Sequence, residues 1–172
     1  MKFKAIYVGI DPGKSGAVAA LNQDGEIVSI QDTPTMHVKK GRKNSNVYLP
    51  SNMMALLKAI NDSGKIAVVG IERAQAMPRQ GSTSGFTIGY GYGLWTGIAI
   101  ALQLPIEVIE AQAWKRHARI PIGSDKKASI VRALQIWPSC RELSRRKDDG
   151  RAEALMIAEY MRASAGRSTS RR

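Results

Sequence analysis

Ala5-Ile-Tyr-Val-Gly-Ile-Asp11, Gly16-Ala-Val-Ala-Ala-Leu21 and Glu26-Ile-Val-Ser-Ile30 are three short apolar runs, and their spacing decides the fold. The first gap is closed by Pro12-Gly13 and the second by Asn22-Gln-Asp-Gly25, both turn chemistry, so three antiparallel strands are predicted over residues 4–31. Downstream, Pro34 to Pro50 has almost no apolar periodicity and carries Lys39, Lys40, Arg42 and Lys43; it reads as a mobile loop. Ser51 then caps a helix in which Met53, Met54, Leu56, Leu57 and Ile60 recur at helical spacing, ending near Gly64. A buried strand, Ile66-Ala-Val-Val-Gly-Ile-Glu72, follows. An uncharged helix is expected from about Ser84 to Leu104, and a short strand at Ile106-Glu-Val-Ile109. Helical segments near 112–118 and 125–137 precede a last helix from about Asp149 to Arg162. The order βββ-α-β-α-β-α-α-α predicts an α/β domain over residues 1–162, a mixed sheet flanked by helices, and a frayed basic tail over 163–172.

At 172 residues, one domain with one shared core is the expectation. Hydrophobic residues at 44% and charged residues at 23% are close to the globular average, which excludes a disordered or collagen-like chain. Lys and Arg number 26 against 14 Asp and Glu, so the net charge is +12 and nucleic acid is the first partner to consider. The apolar run after Met1-Lys2-Phe3-Lys4 meets Asp11 too early for a signal peptide. Gln80 to Ile106 holds no charge but is diluted by Gly85, Gly89, Gly91, Gly93 and Gly97, so it reads as a buried helix and not as a membrane span. The single cysteine, Cys140, excludes an internal disulfide and a multi-Cys metal site. His37 and His117 lack metal-ligand spacing.

The acids are the chemistry-bearing residues. Asp11 ends an apolar strand and Glu72 ends another, so both side chains can leave the sheet edge, and would share a rim if the strands pair. Asp149 and Glu153 are four apart, about 40° around a helix axis, and face one way. Asp148 faces elsewhere and suits the helix N-cap. Taken singly, each acid reads as a cap or a solvated residue. Converging without cations, four carboxylates would repel strongly, and divalent metal ions resolve that conflict. Two such ions about 3.5–4 Å apart activate water and stabilise the leaving oxygen in phosphodiester cleavage. Gly9-Ile-Asp-Pro-Gly-Lys-Ser15 is a near-miss for a phosphate-binding P-loop: the glycine spacing is short and a strand follows where a helix is required, so Lys14-Ser15 reads as hairpin chemistry.

With these residues in place, the sequence resembles the RuvC-like Holliday junction resolvases of the ribonuclease H-like superfamily. Tyr7-Val-Gly-Ile-Asp-Pro-Gly13 is similar to the first-strand motif and Val69-Gly-Ile-Glu72 to the second acidic motif. Gly89-Tyr-Gly-Tyr-Gly-Leu-Trp-Thr-Gly97 with Leu104-Pro-Ile-Glu-Val108 resembles the central helix and fifth strand. Gln112-Ala-Trp-Lys115, Ile122-Gly-Ser124 with Lys126 and Lys127, and Asp149-Gly-Arg-Ala-Glu-Ala-Leu155 complete the series. The resemblance implies a ribonuclease H-like mixed five-stranded sheet and a Mg²⁺-dependent endonuclease that cleaves four-way junctions, with two ions per site and Mn²⁺ able to substitute. It implies Asp11, Glu72, Asp149 and Glu153 as catalytic metal ligands, and places Lys115 and Lys127 near the scissile phosphate or junction backbone. It further implies a homodimer on branched DNA in the cytoplasm of a bacterial or phage-infected cell.

Two departures stand out. The closing pair is Asp149-x-x-x-Glu153 where bacterial members have Asp-x-x-Asp, a spacing more like phage and organellar relatives. The loop Arg73-Ala-Gln-Ala-Met-Pro-Arg-Gln80 offers Met77 where bacterial members offer an aromatic to the junction bases. The glycine ladder 85, 89, 93, 97 makes a flat stripe that serves either packing on the sheet or first helix, or a twofold helix contact near Phe86, Tyr90 and Tyr92. Other readings stay open: a different branched-DNA or RNA–DNA hybrid nuclease of this fold, a noncatalytic junction-binding module, or a sugar kinase or actin-like phosphotransferase, which one domain of this length opposes.

Overall fold

The computed structural model describes residues 4–41, 43–75, 81–121, 123–125 and 127–169; Met77, Ile122 and Lys126 lie outside them. Five strands form the main sheet, in the order β3-β2-β1-β6-β7. The predicted meander is present as β1 (Ile6–Ile10), β2 (Ala17–Asn22) and β3 (Ile27–Asp32), all antiparallel. In the second turn, Asn22 Oδ1 accepts the N–H groups of Asp24 and Glu26 at 2.9 and 3.0 Å. β6 (Ile66–Glu72) joins β1 in parallel, and β7 (Ile106–Ile109) extends the sheet in parallel from β6.

β2 is buried along its whole length because both faces of the sheet are covered. Alternate side chains part there. Val18 and Ala20 pack with Met53, Leu57 and Ile60 of α1 (Pro50–Ser63) and Trp95 and Ala99 of α2 (Ser82–Ala101). Ala17, Ala19 and Leu21 pack against α5 (Asp149–Thr169) and, with it, residues of α3 (Ala111–His117) and α4 (Lys127–Ile136). The mixed five-stranded α/β sheet is the predicted architecture.

α5 lies close on the sheet because glycine clears its path. Gly9 of β1 and Gly70 of β6 are register partners. A Cβ on Gly9 would stand 2.2 Å from the Ala154 carbonyl oxygen and 2.4 Å from the Ala158 nitrogen, and one on Gly70 would meet Met161. At the start of the helix, buried Asp148 accepts the Arg145 backbone N–H at 2.6 Å and pairs with its guanidinium at 2.7 Å, while its carbonyl accepts the Ala152 N–H. It thus holds the N-cap position with its carboxylate turned back onto Arg145. Arg151, one turn on, grips Asp32 at the end of β3 through two nitrogens at 2.5 and 2.8 Å.

Three expectations are corrected. Residues 34–50 are not a loop: β4 (Thr35–Lys40) and β5 (Lys43–Tyr48) form a separate antiparallel ribbon, its turn opened by Gly41 at φ +61°. The ribbon escaped notice because most of its side chains are exposed, leaving no apolar alternation to read. α2 is not buried all round: Gly91, Trp95 and Ala99 face the core, while Phe86 is 74% and Ile100 62% exposed. A charge-free sequence can still carry a wet face when that face is glycine. α5 continues past Arg162 to Thr169, since Ala163 and Ala165 favour helix and no proline interrupts.

Replacing Gly9 by Ala forces α5 outward and should cost about 1–3 kcal/mol or more, the range of overpacking, read as a lower midpoint in denaturant. Arg151 holds the Asp32 carboxyl below its ordinary value, its hydrogen bond outweighing partial burial. A depressed carboxyl stabilises the fold above its unfolded pKa, and that gain disappears as pH falls through the folded pKa. Asp32→Asn should therefore lower the melting temperature at neutral pH, by a small amount because the residue is exposed, and the gap from wild type should close in acid.

Candidate active site

Parallel pairing of β1 and β6 places Ile10 opposite Ile71, so Asp11 and Glu72 leave the sheet from adjoining strand ends. Both strand ends open on one edge. Asp11 Oδ1 accepts the Gly13 N–H at 3.3 Å, which folds the carboxylate over the β1–β2 turn. The start of α5 meets it there: a Cβ on Gly150 would stand 3.2 Å from Asp11 Oδ2 and 2.5 Å from the Ser15 carbonyl. Gly150 thus lets the first helical turn, with Asp149, come up against Asp11.

Glu72 is partly buried and oriented by α3. The Trp114 indole N–H donates to Glu72 Oε2 at 2.6 Å, and the Lys115 ammonium lies over the Trp114 ring at 5.2 Å from its centroid. Burial pushes the Glu72 carboxyl above its ordinary pKa; the Trp114 hydrogen bond opposes this, the Glu153 charge adds to it and Lys115 again opposes it. Glu72, Glu153 and Lys115 therefore share one electrostatic neighbourhood. Glu153 Oε1 accepts the Ser129 hydroxyl at 3.4 Å, and Glu153, Ser129 and Lys115 line one cleft. Lys127 is exposed at the start of α4, its N–H bonded to Asp125 Oδ1, and it is not part of that cleft wall.

These contacts link the four acids in pairs, Asp11 with the start of α5 and Glu72 with Glu153. The expected convergence on one pocket is looser than that. Among the described residues, no three Asp, Glu, His or Cys side chains are gathered closely enough to hold one ion. In donor chemistry the set does suit a hard divalent cation, since carboxylate oxygens are its preferred ligands and a cation would relieve the repulsion between Glu72 and Glu153. Asp148 is absent from the rim, turned away onto Arg145 and Arg151.

Tyr48 was not foreseen. It is 4% exposed, and its hydroxyl donates to the Pro12 carbonyl at 3.2 Å, so the β4–β5 ribbon is rooted on the turn that carries Asp11. Burial, reinforced by the Asp11 charge, pushes its phenol up to about 12. The Lys14 ammonium stands 5.7 Å from the Tyr48 ring centroid. No periodic signal marks Tyr48; its role follows from the ribbon. Trp114 enters the sequence only as part of Gln112-Ala-Trp-Lys115; its distance to Glu72 in the fold reveals it as a hydrogen-bond donor to an acid.

No family model and no curated protein sequence matches the chain. Solved structures do. Thermus thermophilus RuvC aligns with a TM-score of 0.57 at 16% identity, covering 94% of this chain and 96% of that one. T. thermophilus RuvC in complex with a Holliday junction substrate aligns with a TM-score of 0.58 at 16% identity, over 95% and 96%. The yeast mitochondrial Holliday junction resolvase Ydc2 gives 0.49 at 15% identity, over 98% and 83%, and adds nothing to the assignment. Strand order, mixed pairing and near-complete coverage together identify the ribonuclease H-like fold, as in RuvC.

Proposed function

We propose that this chain is a metal-dependent endonuclease that resolves four-way DNA junctions by paired phosphodiester hydrolysis. The observation that carries this reading is the meeting of Asp11 and Glu72, at paired strand ends, with the first turns of α5 inside a protein of net charge +12. The structurally similar T. thermophilus RuvC, solved with a Holliday junction substrate, supports the choice of DNA. Asp11, Glu72, Asp149 and Glu153 would hold two Mg²⁺ ions, or Mn²⁺ in their place. Bound there, the metal supplies Lewis acidity and lowers the pKa of the attacking water. The protein's own groups do the rest. Trp114 fixes the orientation of Glu72 by its indole N–H. Lys115, steadied over Trp114, sets a positive charge beside Glu72 and Glu153 where negative charge grows on the phosphate. Lys127, exposed at the start of α4, would contact the junction backbone.

Two matched cuts call for two copies of the chain, and α2 offers the face. Nothing stands within 4 Å of a Cβ built on Gly85, Gly89, Gly93 or Gly97, so the ladder is open, and Phe86 and Tyr90 stack beside it at 6.1 Å. Packing on the sheet or on α1 does not use it; only Gly91, beneath Tyr48, is tightly enclosed. We assign the stripe to a twofold helix contact.

The absence of a three-carboxylate group among the described residues favours one second reading, a junction-binding module without catalysis. A panel of four-way junction, linear duplex, flap and RNA–DNA hybrid, each with and without Mg²⁺, separates the two: Mg²⁺-stimulated cutting of the junction supports the nuclease, and tight binding without nicking selects the module. Glu72→Gln should reduce junction cutting by about 10²–10³-fold or more, the scale of one lost electrostatic contact to the transition state, with binding retained. It should also abolish the rise in melting temperature that Mg²⁺ gives the wild type. Gly93→Leu is sterically free in the single chain and gains helix propensity, so it should leave the melting temperature equal or higher while light scattering shows a monomer. A Gly93→Leu dimer as tight as wild type would remove α2 from the interface.

A further inference from the structure

A second cleft shares no lining residue with the one that Glu153 lines. Asp149 lines it together with Lys14 of the β1–β2 turn, Asn46 of the β4–β5 ribbon, and Arg145 and Lys147 ahead of α5. Lys14 belongs to the stretch that only half resembles a phosphate loop. In the fold its ammonium stands over the Tyr48 ring, and Tyr48 is bonded to Pro12 beside Asp11, so a positive charge is set next to the rim. Arg145 is fixed in direction by Asp148 at 2.7 Å and Asp32 at 3.4 Å. Asp32, which also lines the cleft, is neutralised by Arg151 and Arg145, leaving its charge with little force against an anion. Thr33 lines the same cleft, is 4% exposed, and its hydroxyl has no hydrogen-bond partner among the described residues.

We infer that this cleft is the track that holds the phosphate backbone of the DNA strand flanking the scissile bond, with Lys14 and Lys147 as its positioning residues. The inference rests on the nuclease reading, because only then does Asp149, which lines the cleft, mark the place of cutting. Contacts of this class orient a strand without reading its sequence.

The test uses the full chain and a synthetic four-way junction. Binding is measured in EDTA over a salt series for wild type, Lys14→Gln, Lys147→Gln and the double variant, with melting curves confirming that each is folded. Lys65→Gln serves as control, since Lys65 precedes β6 at the end of the strand opposite Glu72. Each cleft lysine removed should lower the slope of log affinity against log salt by about 1, and the control should not change it. In a second arm, the phosphate next to the cut is replaced by an uncharged methylphosphonate. Wild type should bind that junction more weakly, and the double variant should bind both junctions alike. Unchanged slopes, or an equal methylphosphonate loss in wild type and double variant, would overturn the track while the wild type's cutting leaves the nuclease reading intact. A wild type that binds junctions yet never nicks them with Mg²⁺ would overturn the nuclease reading, and the track along with it.

Discussion

The close seating of α5 across β1 and β6 is the constraint on which the rest of the structure depends. Paired glycines, Gly9 and Gly70, remove the side chains that would hold the helix away, and Ala154 and Ala158, which face Gly9, are fully buried. The seating carries Asp149 and Glu153 to the edge where β1 and β6 end. A helix standing one side chain further out would still cover the sheet, but its first turn would no longer reach Asp11. The clasp of Asp148 with Arg145, and of Asp32 with Arg151, then sets where that helix begins.

Electrostatics give the same edge its character. The chain is strongly cationic, yet Asp11 and Glu72 leave the sheet from adjoining strand ends, and burial with the Glu153 charge already makes ionised Glu72 unfavourable. Such an arrangement is costly for a fold that has no use for it. Cations stand beside the rim: Lys115 over Trp114 and Lys14 over Tyr48. In both cases a lysine lies over an aromatic ring that is itself tied to the rim, Trp114 to Glu72 and Tyr48 to Pro12 beside Asp11.

The strands were legible because they are short apolar runs between turns, whereas the partner of β6 stayed open in the sequence, since a crossover helix leaves several earlier strands within reach and packing selects β1. Asp149 could be told from Asp148 by helical geometry alone, and Asp148 is indeed the one turned to the cap and its arginines. The ribbon could not be read, for its strands are wet on both faces, and Tyr48 and the cleft behind Lys14 were lost with it. The exposed side of α2 was hidden by the absence of charge, which suggested burial where glycine was leaving a surface open. Trp114 illustrates the remaining limit: its place in the chain was plain, but a bond to Glu72 across 42 positions is a property of the fold.

The proposed nuclease needs Asp11, Glu72, Asp149 and Glu153 to act together on divalent cations. Crystals grown with Mn²⁺ and examined by anomalous scattering test it most directly. The account predicts anomalous peaks within ligand distance of these carboxylates, about 2.0–2.2 Å for oxygen around an ion of this class, with Glu72 still bonded to Trp114. Peaks elsewhere, or none at saturating Mn²⁺ with the four acids ordered and apart, would contradict it.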